Sequence, residues 1–460
     1  MKRFLHTALA AVMSLQLTVW AGAVNAEETA ESGVYTAPES PSVTYNMNLD
    51  WKFYDCKTMQ DDITTAMSKV EQNGVPFYSP EFDDSAWETV SIPHGIGGGT
   101  NSFTKNIGDS GGGYRSVLLY RKTITIPSDA AGKIFFELEG IRQAVYVWVN
   151  GEPVGYYEAG IAAMGFDLTN YVTPGEQALI AICNDGLTGR GTSYRIPYET
   201  VPGEKWGSSY TPDNYKTTVG GGTFFQWNTQ DFNEPQIGLV YNAYLHVKGD
   251  VYQTLPLYNN LKTTGNYIYA DNFDIKAKTA DITVDAEVRN ESAQSGDYTL
   301  EVVVADAEGN MKYSFESNAV TVAAAEDAGV VYETAVEPDT YQRTNHVNAT
   351  VVNTPDVTRI TASCHVSGLR FWSTEDPYLY TVYTVLKDAD GNAVDVEKKK
   401  TGFRKVTYDP NSGILINDRA VWLTGLCTAR DKRVGCHRLC NRLAAGLLYV
   451  ACKGKQLKLH

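Results

Sequence analysis

Ile134-Phe135-Phe136-Glu137-Leu138-Glu139-Gly140 and Ala144-Val145-Tyr146-Val147-Trp148-Val149-Asn150-Gly151-Glu152-Pro153-Val154-Gly155-Tyr156 decide the fold. In a strand, Val145, Val147 and Val149 point one way and Tyr146 and Trp148 the other. Asn150-Gly151 between two such runs is a strong hairpin signal, because both residues accept the positive φ of a type I′ turn. A second turn, Thr173-Pro174-Gly175-Glu176, leads into another strand, Ala178-Leu179-Ile180-Ala181-Ile182-Cys183. This pattern predicts the centre of an antiparallel β-sandwich.

Working outward, Phe82-Asp83-Asp84-Ser85-Ala86-Trp87, Ile92-Pro93-His94-Gly95, Leu138-Glu139-Gly140-Ile141, Val147-Trp148-Val149-Asn150-Gly151 and Phe166-Asp167-Leu168-Thr169 follow in a fixed order. Together they resemble the sugar-binding jelly roll of glycoside hydrolase family 2, which contains β-galactosidases, β-mannosidases and β-glucuronidases. Farther on, Phe371-Trp372-Ser373-Thr374-Glu375-Asp376-Pro377-Tyr378 and Gly402-Phe403-Arg404-Lys405-Val406 resemble the same family's later landmarks. The resemblance extends, with gaps, from Trp51 to Gly425.

Charge and composition narrow the function classes. The chain has 460 residues and a net charge of −15. Such an acidic balance disfavours nucleic acid and anionic membrane surfaces and is compatible with a neutral substrate such as a sugar. Lys2 and Arg3, an apolar run from Ala8 to Val19 and the small residues around Ala26 predict a signal peptide over 1–26. A mature protein secreted or held in the periplasm follows from that reading. Ser14, Gln16 and Thr18 interrupt the apolar run, which is too short for a membrane span. Cys56, Cys183 and Cys364 are too widely spaced for a disulfide framework and are expected as buried thiols.

The chain then divides as follows. Residues 27–46, rich in Glu, Ser, Thr and Pro, are expected to be a disordered leader. Residues 47–250 are expected to form the jelly-roll, galactose-binding-like sandwich. Residues 251–403 read as an immunoglobulin-like β-sandwich: Asp281-Ile282-Thr283-Val284-Asp285-Ala286-Glu287-Val288 alternates cleanly, and about seven short strands fit the spacing. By resemblance, residues 404–425 open a TIM barrel, with a hairpin from Ile414 to Leu423 turning at Asn417-Asp418. The fold class is therefore all-β, with only the opening hairpin of a barrel.

After Gly425 the resemblance ends. Residues 426–460 hold eight basic residues against one acid, Asp431, and four of the seven cysteines. Cys436-His437 and Cys440, with Cys427 and Cys452, lack the paired CxxC of a zinc site, so no metal is expected. The abrupt change predicts an unrelated, frameshifted tail.

Retaining hydrolysis of a glycoside needs two carboxyl groups about 5 to 5.5 Å apart. The resemblance places both on glutamates of a barrel of about 250 residues. Residues 426–460 contain no Glu, so no catalytic residue is assigned in this chain. Asn233-Glu234-Pro235 copies an acid/base signature but falls in the wrong domain, and Glu375 reads as a surface turn residue.

Sugar binding is better supported. Asn184-Asp185-Gly186 ends a strand and opens a long insertion rich in aromatic residues and glycine. The resemblance implies that Asp185 reaches a sugar, where a carboxylate accepts hydrogen bonds from neighbouring hydroxyls. The competing reading is an Asx turn capping its own loop. Asn184, His94, Trp206 and Trp227 are further candidates. The tryptophans would stack on sugar C–H faces or pack against their own domain, and His94 reads equally as a satisfied structural histidine. The glycine clusters lack the lysine of a phosphate loop, so no cofactor is expected. The expected partner is a β-galactoside-type oligosaccharide, with oligomers possible in full-length family members. The expected function is that of the N-terminal part of a secreted β-galactosidase-like enzyme, itself without catalysis. A secreted non-catalytic carbohydrate-binding protein is the alternative.

Overall fold

The computed structural model describes residues 33–97, 116–185, 237–325 and 356–421, with breaks at 58–62, 143, 159–161 and 258–260. It also gives the backbone of short strands at 24–25, 104–106, 330–335 and 346–351.

The first sandwich grows from the quoted hairpin. Asn150 and Gly151 both take positive φ, 52° and 91°, as the turn requires. Ala144–Val149 pairs antiparallel with Glu152–Glu158 on one side and Gln177–Asp185 on the other. Val117–Thr125, Trp51–Asp55 and Glu88–Val90 continue the same sheet. Facing it lie Met164–Asp167, Ile134–Leu138, Ala243–Val247 and Val43–Asn46, with a smaller sheet around His94–Gly97 and Ile237–Leu239. Between the layers Trp51, Tyr120, Phe136, Val147, Ile180 and Ile182 are buried in one core. Tyr146, Leu119 and Cys183 point to the opposite face and pack under Phe77, Phe82 and Trp87.

Arg121 fastens that outer cover. Its side chain is buried, its Nε donates to Asp84 Oδ2 at 2.7 Å, and its other nitrogens donate to the carbonyls of Phe77, Ser79 and Phe82. The guanidinium's several donors thus satisfy a loop whose carbonyls would otherwise be buried unpaired.

The second sandwich starts almost at once. Only Lys248, Gly249 and Asp250 separate Ala243–Val247 from Val251–Gln253, the first strand of the next sheet. One layer holds Val251–Gln253 and Tyr267–Asp274 against Thr279–Asn290, followed by Thr358–Val366. The other orders Met311–Glu316, Gly296–Ala305, Tyr380–Lys387 and Ala393–Thr401. Ile282, Val284, Val302, Val304, Ile360 and Val382 fill the space between. The alternation read from Asp281 to Val288 is therefore realised as an immunoglobulin-like layer.

So short a joint presses the two sandwiches together, and the seam combines an apolar cluster of Phe135, Tyr252, Leu255 and Leu257 with a polar one. Lys248, 2% exposed, lies 3.3 Å from Oδ1 of the fully buried Asp395 and also bonds Glu397. Gln253 adds its backbone N–H and its Nε2 to Asp395 Oδ2, at 2.8 and 3.1 Å. Burial pulls the Lys248 ammonium down, but the attraction of Asp395 and Glu397 more than reverses this and raises its pKa. Nearby, His246 Nε2 sits 2.7 Å from Glu137 Oε2. A second tie runs from Lys133 to Asp167 at 2.9 Å and to Glu291 of the next domain at 3.0 Å.

The leader expected to be disordered is, from Gly33 on, ordered and part of the fold. The Tyr35 N–H donates to the Gly309 carbonyl at 2.8 Å, and its ring lies 5.0 Å from that of Tyr383 in the second sandwich. Val43–Asn46 then adds an edge strand to the first sandwich, pairing with Ala243–Val247. All four of its side chains are exposed, so it lacks the buried alternation by which a strand is read from sequence.

Val406–Asp409, Gly413–Ile416 and Arg419–Ala420 form a three-stranded antiparallel sheet. Its second turn is at Asn417-Asp418, both with positive φ, as expected. Leu423, Gly425 and the tail lie outside the described residues. Cys183 and Cys364 are buried and Cys56 is half-buried.

Replacing Asp395 by Ala removes the main partner of a buried ammonium, a loss worth about 3–5 kcal/mol. Thermal unfolding is expected to show a large fall in Tm for Asp395→Ala. Asp376→Ala, which breaks the exposed pair with Arg370, is expected to leave Tm nearly unchanged.

Candidate functional site

Three neighbouring strands carry the same pattern to the same end of the first sandwich. Trp51 and Phe53 face the core, and Asp55 takes the next inward position. Tyr120 and Leu118 face the core, and Ser116 takes the next position beyond them. Ile180 and Ile182 face the core, and Asn184 follows. Asp55 and Asn184 both pair with Leu118, from opposite sides. The apolar interior therefore ends in a polar rim made by one residue from each strand.

The rim is tied together. Ser116, fully buried, donates its hydroxyl to Asp55 Oδ1 at 2.6 Å, and the Lys57 N–H donates to the same oxygen at 2.9 Å. Cys56 N–H donates to the Val117 carbonyl at 3.0 Å, which carries the pairing one residue past the strand. Asn184 is completely buried. Asp185 is the last residue of its strand, in register with Ala144 on one side and Val117 on the other. It stands directly beside the rim in the backbone.

His94 belongs one layer deeper. Its Nδ1 lies 3.0 Å from the Tyr120 hydroxyl, and its ring meets Phe53 edge-on with centroids 4.5 Å apart. Tyr120 pairs with Ile182, two residues before Asn184. Burial raises the Tyr120 pKa far above its ordinary value, a backbone hydrogen bond at Leu239 opposes this, and the charge of Asp55 adds to it. The phenol therefore stays neutral and bridges the rim to His94.

The structure thus brings Asn184, Asp185 and His94 to one end of the sandwich. Trp206, Trp227 and Asn233-Glu234-Pro235 lie outside the described residues. Glu375 is exposed, and hydrogen bonds from its own backbone and from Thr374 hold its carboxyl below the usual range, as in a surface turn. Sequence reasoning missed Asp55 and Ser116. The signal was present: each is a polar residue at an inward position of an otherwise apolar-in strand.

Ser116 and Asn184 are buried and support this end from beneath, and the half-buried Asp55 presents a carboxylate that can accept hydrogen bonds from hydroxyls. Among the described residues no group of three or more His, Cys, Asp or Glu side chains could hold a metal ion.

Two stretches of the chain match family models. Residues 109–192 match the sugar binding domain of glycosyl hydrolases family 2, and residues 267–404 match a second model described as glycosyl hydrolases family 2. A β-glucuronidase from Formosa agariphila is 26% identical over 392 residues, covering 84% of this chain and 32% of that protein. A β-galactosidase from Halalkalibacterium halodurans is 26% identical over 414 residues, covering 86% of this chain and 31% of that protein. Among solved structures, a β-glucuronidase from glycoside hydrolase family 2 superposes with a TM-score of 0.58 at 24% identity, over 85% of this chain and 33% of that one. The chain spans about a third of the length of these relatives.

Removing the Tyr120 hydroxyl takes away its hydrogen bond to the half-buried His94. Tyr120→Phe is expected to lower stability by about 0.5–1.5 kcal/mol. Chemical denaturation followed by tryptophan fluorescence reads this as an earlier midpoint, and an unchanged midpoint would show that the bond contributes nothing.

Proposed function

We propose that this chain, which carries the sugar-binding and immunoglobulin-like domains of glycosyl hydrolases family 2, is the sugar-recognising part of a secreted β-glycosidase of the β-galactosidase type. The carrying observation is the polar rim of Asp55, Ser116 and Asn184 at the strand end where Asp185 stands. Buried Ser116 fixes Asp55, whose half-buried carboxylate can accept from ring hydroxyls at a set position. The relatives bear names of both β-glucuronidases and β-galactosidases. The net charge of −15 favours the neutral galactoside over the anionic glucuronide. Export rests on Lys2, Arg3 and the apolar run up to Val19.

The 460 residues themselves are proposed to bind without turning over. Retaining hydrolysis calls for two carboxyl groups about 5 to 5.5 Å apart at the reacting carbon. Among the described side chains the rim offers one carboxylate, Asp55, which already accepts from Ser116 and the Lys57 N–H.

Calorimetric titration with β-galacto-oligosaccharides is expected to give saturable binding that Asp185→Ala weakens about tenfold or more, the loss of a charged hydrogen bond of roughly 1.5–3 kcal/mol. Incubation with a nitrophenyl β-galactoside is expected to release nothing above a blank. Clear hydrolysis by the purified chain would overturn the non-catalytic part, and undiminished binding by Asp185→Ala would overturn the site.

A further inference from the structure

The outer face of the second sandwich carries an ordered array that the strand-end site does not use. Tyr267 and Tyr269 stand on the strand Tyr267–Asp274 and point the same way. Their rings stack with centroids 5.1 Å apart and planes at 29°. Tyr267 is 66% exposed, so Tyr269 covers one side of its ring and solvent meets the rest.

Beside the tyrosines, the neighbouring strands set out hydrogen-bonded rungs. Tyr267 is in register with Asp285, and Asp285 with Thr361. The Thr361 hydroxyl donates to Asp285 Oδ1 at 2.6 Å. One step along, Tyr269 is in register with Thr283, whose hydroxyl lies 2.8 Å from that of Ser363. The next rung joins Asp281 Oδ1 to His365 Nδ1 at 2.6 Å, with the Asn272 amide donating to Asp281 Oδ2 at 2.7 Å. Each polar side chain is thus held in one orientation before any ligand arrives, which lowers the entropy lost on binding. Strand neighbours lie about 4.8 Å apart, so the array is a flat strip and not a cleft.

We propose that this strip is a second carbohydrate site, which holds a stretch of neutral polysaccharide against the immunoglobulin-like domain. A sugar ring lays its C–H face on the exposed side of Tyr267, where the electron-rich ring attracts the polarised hydrogens. Its hydroxyls then lie over the Asp285–Thr361 rung, while buried Thr283, hydrogen-bonded by Tyr269, supports the tyrosine platform from below. Charge selects the occupant: on this face Asp271, Asp281, Asp285 and Glu287 outnumber Arg359, Arg289 and the His365 imidazole, so an acidic glycan is repelled and an uncharged one is not. An extended chain fits the flat strip better than a single sugar, because no wall encloses it. The site is independent of the rim around Asp185, which lies in the other sandwich.

Affinity electrophoresis of the full chain tests this in native gels containing galactan, xyloglucan or mannan, with polygalacturonate as the acidic control. At least one neutral polysaccharide is expected to retard the protein. Tyr267→Ala is expected to weaken that retardation about tenfold, as for the loss of one aromatic stacking contact. Tyr267→Phe keeps the ring and is expected to run like the unmodified protein. Asp185→Ala is expected to retain the retardation that depends on Tyr267, which separates this site from the strand-end one. Equal mobility of Tyr267→Ala and the unmodified protein in every neutral gel would overturn the proposal. Strongest retardation by polygalacturonate, or none by any neutral polysaccharide, would do the same.

Discussion

A buried ammonium governs how the molecule is put together. Lys248 sits in the three-residue joint between two sandwiches, and it is sealed from water. A charge there is tolerable only with opposite charge in contact. Asp395 and Glu397, both on one strand of the second sandwich, supply it. Because the Lys248 N–H also donates to the Lys133 carbonyl of the first sandwich at 2.8 Å, the joint is tied to both domains. The Tyr35 strap and the Lys133–Glu291 pair reinforce that arrangement from other sides. Everything that depends on the placement of one sandwich against the other follows from this seam.

The two sandwich cores were legible because their signals are local. Val145, Val147 and Val149 turned inward and Tyr146 and Trp148 outward, as their alternation required. Asn150-Gly151 and Asn417-Asp418 turned where their tolerance of positive φ said they would. Val43–Asn46 was not legible: an edge strand with every side chain exposed carries no periodic burial, and only its backbone pairing defines it. Nor was the seam. Lys248 and Asp395 are far apart in the chain, each looks like an ordinary surface residue, and only the tertiary fold brings them together.

The candidate site shows the same division. Asp185 and Asn184 were reached through motif resemblance, and the structure places them on a rim with His94 one layer below. Asp55 and Ser116 join that rim from strands whose inward residues are otherwise apolar. A polar residue that breaks an apolar-in alternation is thus a readable marker of where the apolar interior of a sandwich ends. Residues 109–192 and 267–404 match models of glycosyl hydrolases family 2, in a chain about a third as long as the relatives it matches.

The most direct measurement is hydrogen–deuterium exchange of the whole chain with and without a β-galacto-oligosaccharide, resolved by peptide. Binding at the strand end predicts slower exchange in the peptides that contain Ser116 to Leu118 and Ile182 to Asp185. Unchanged exchange in both, with the oligosaccharide demonstrably bound, would contradict a sugar site at that end of the sandwich.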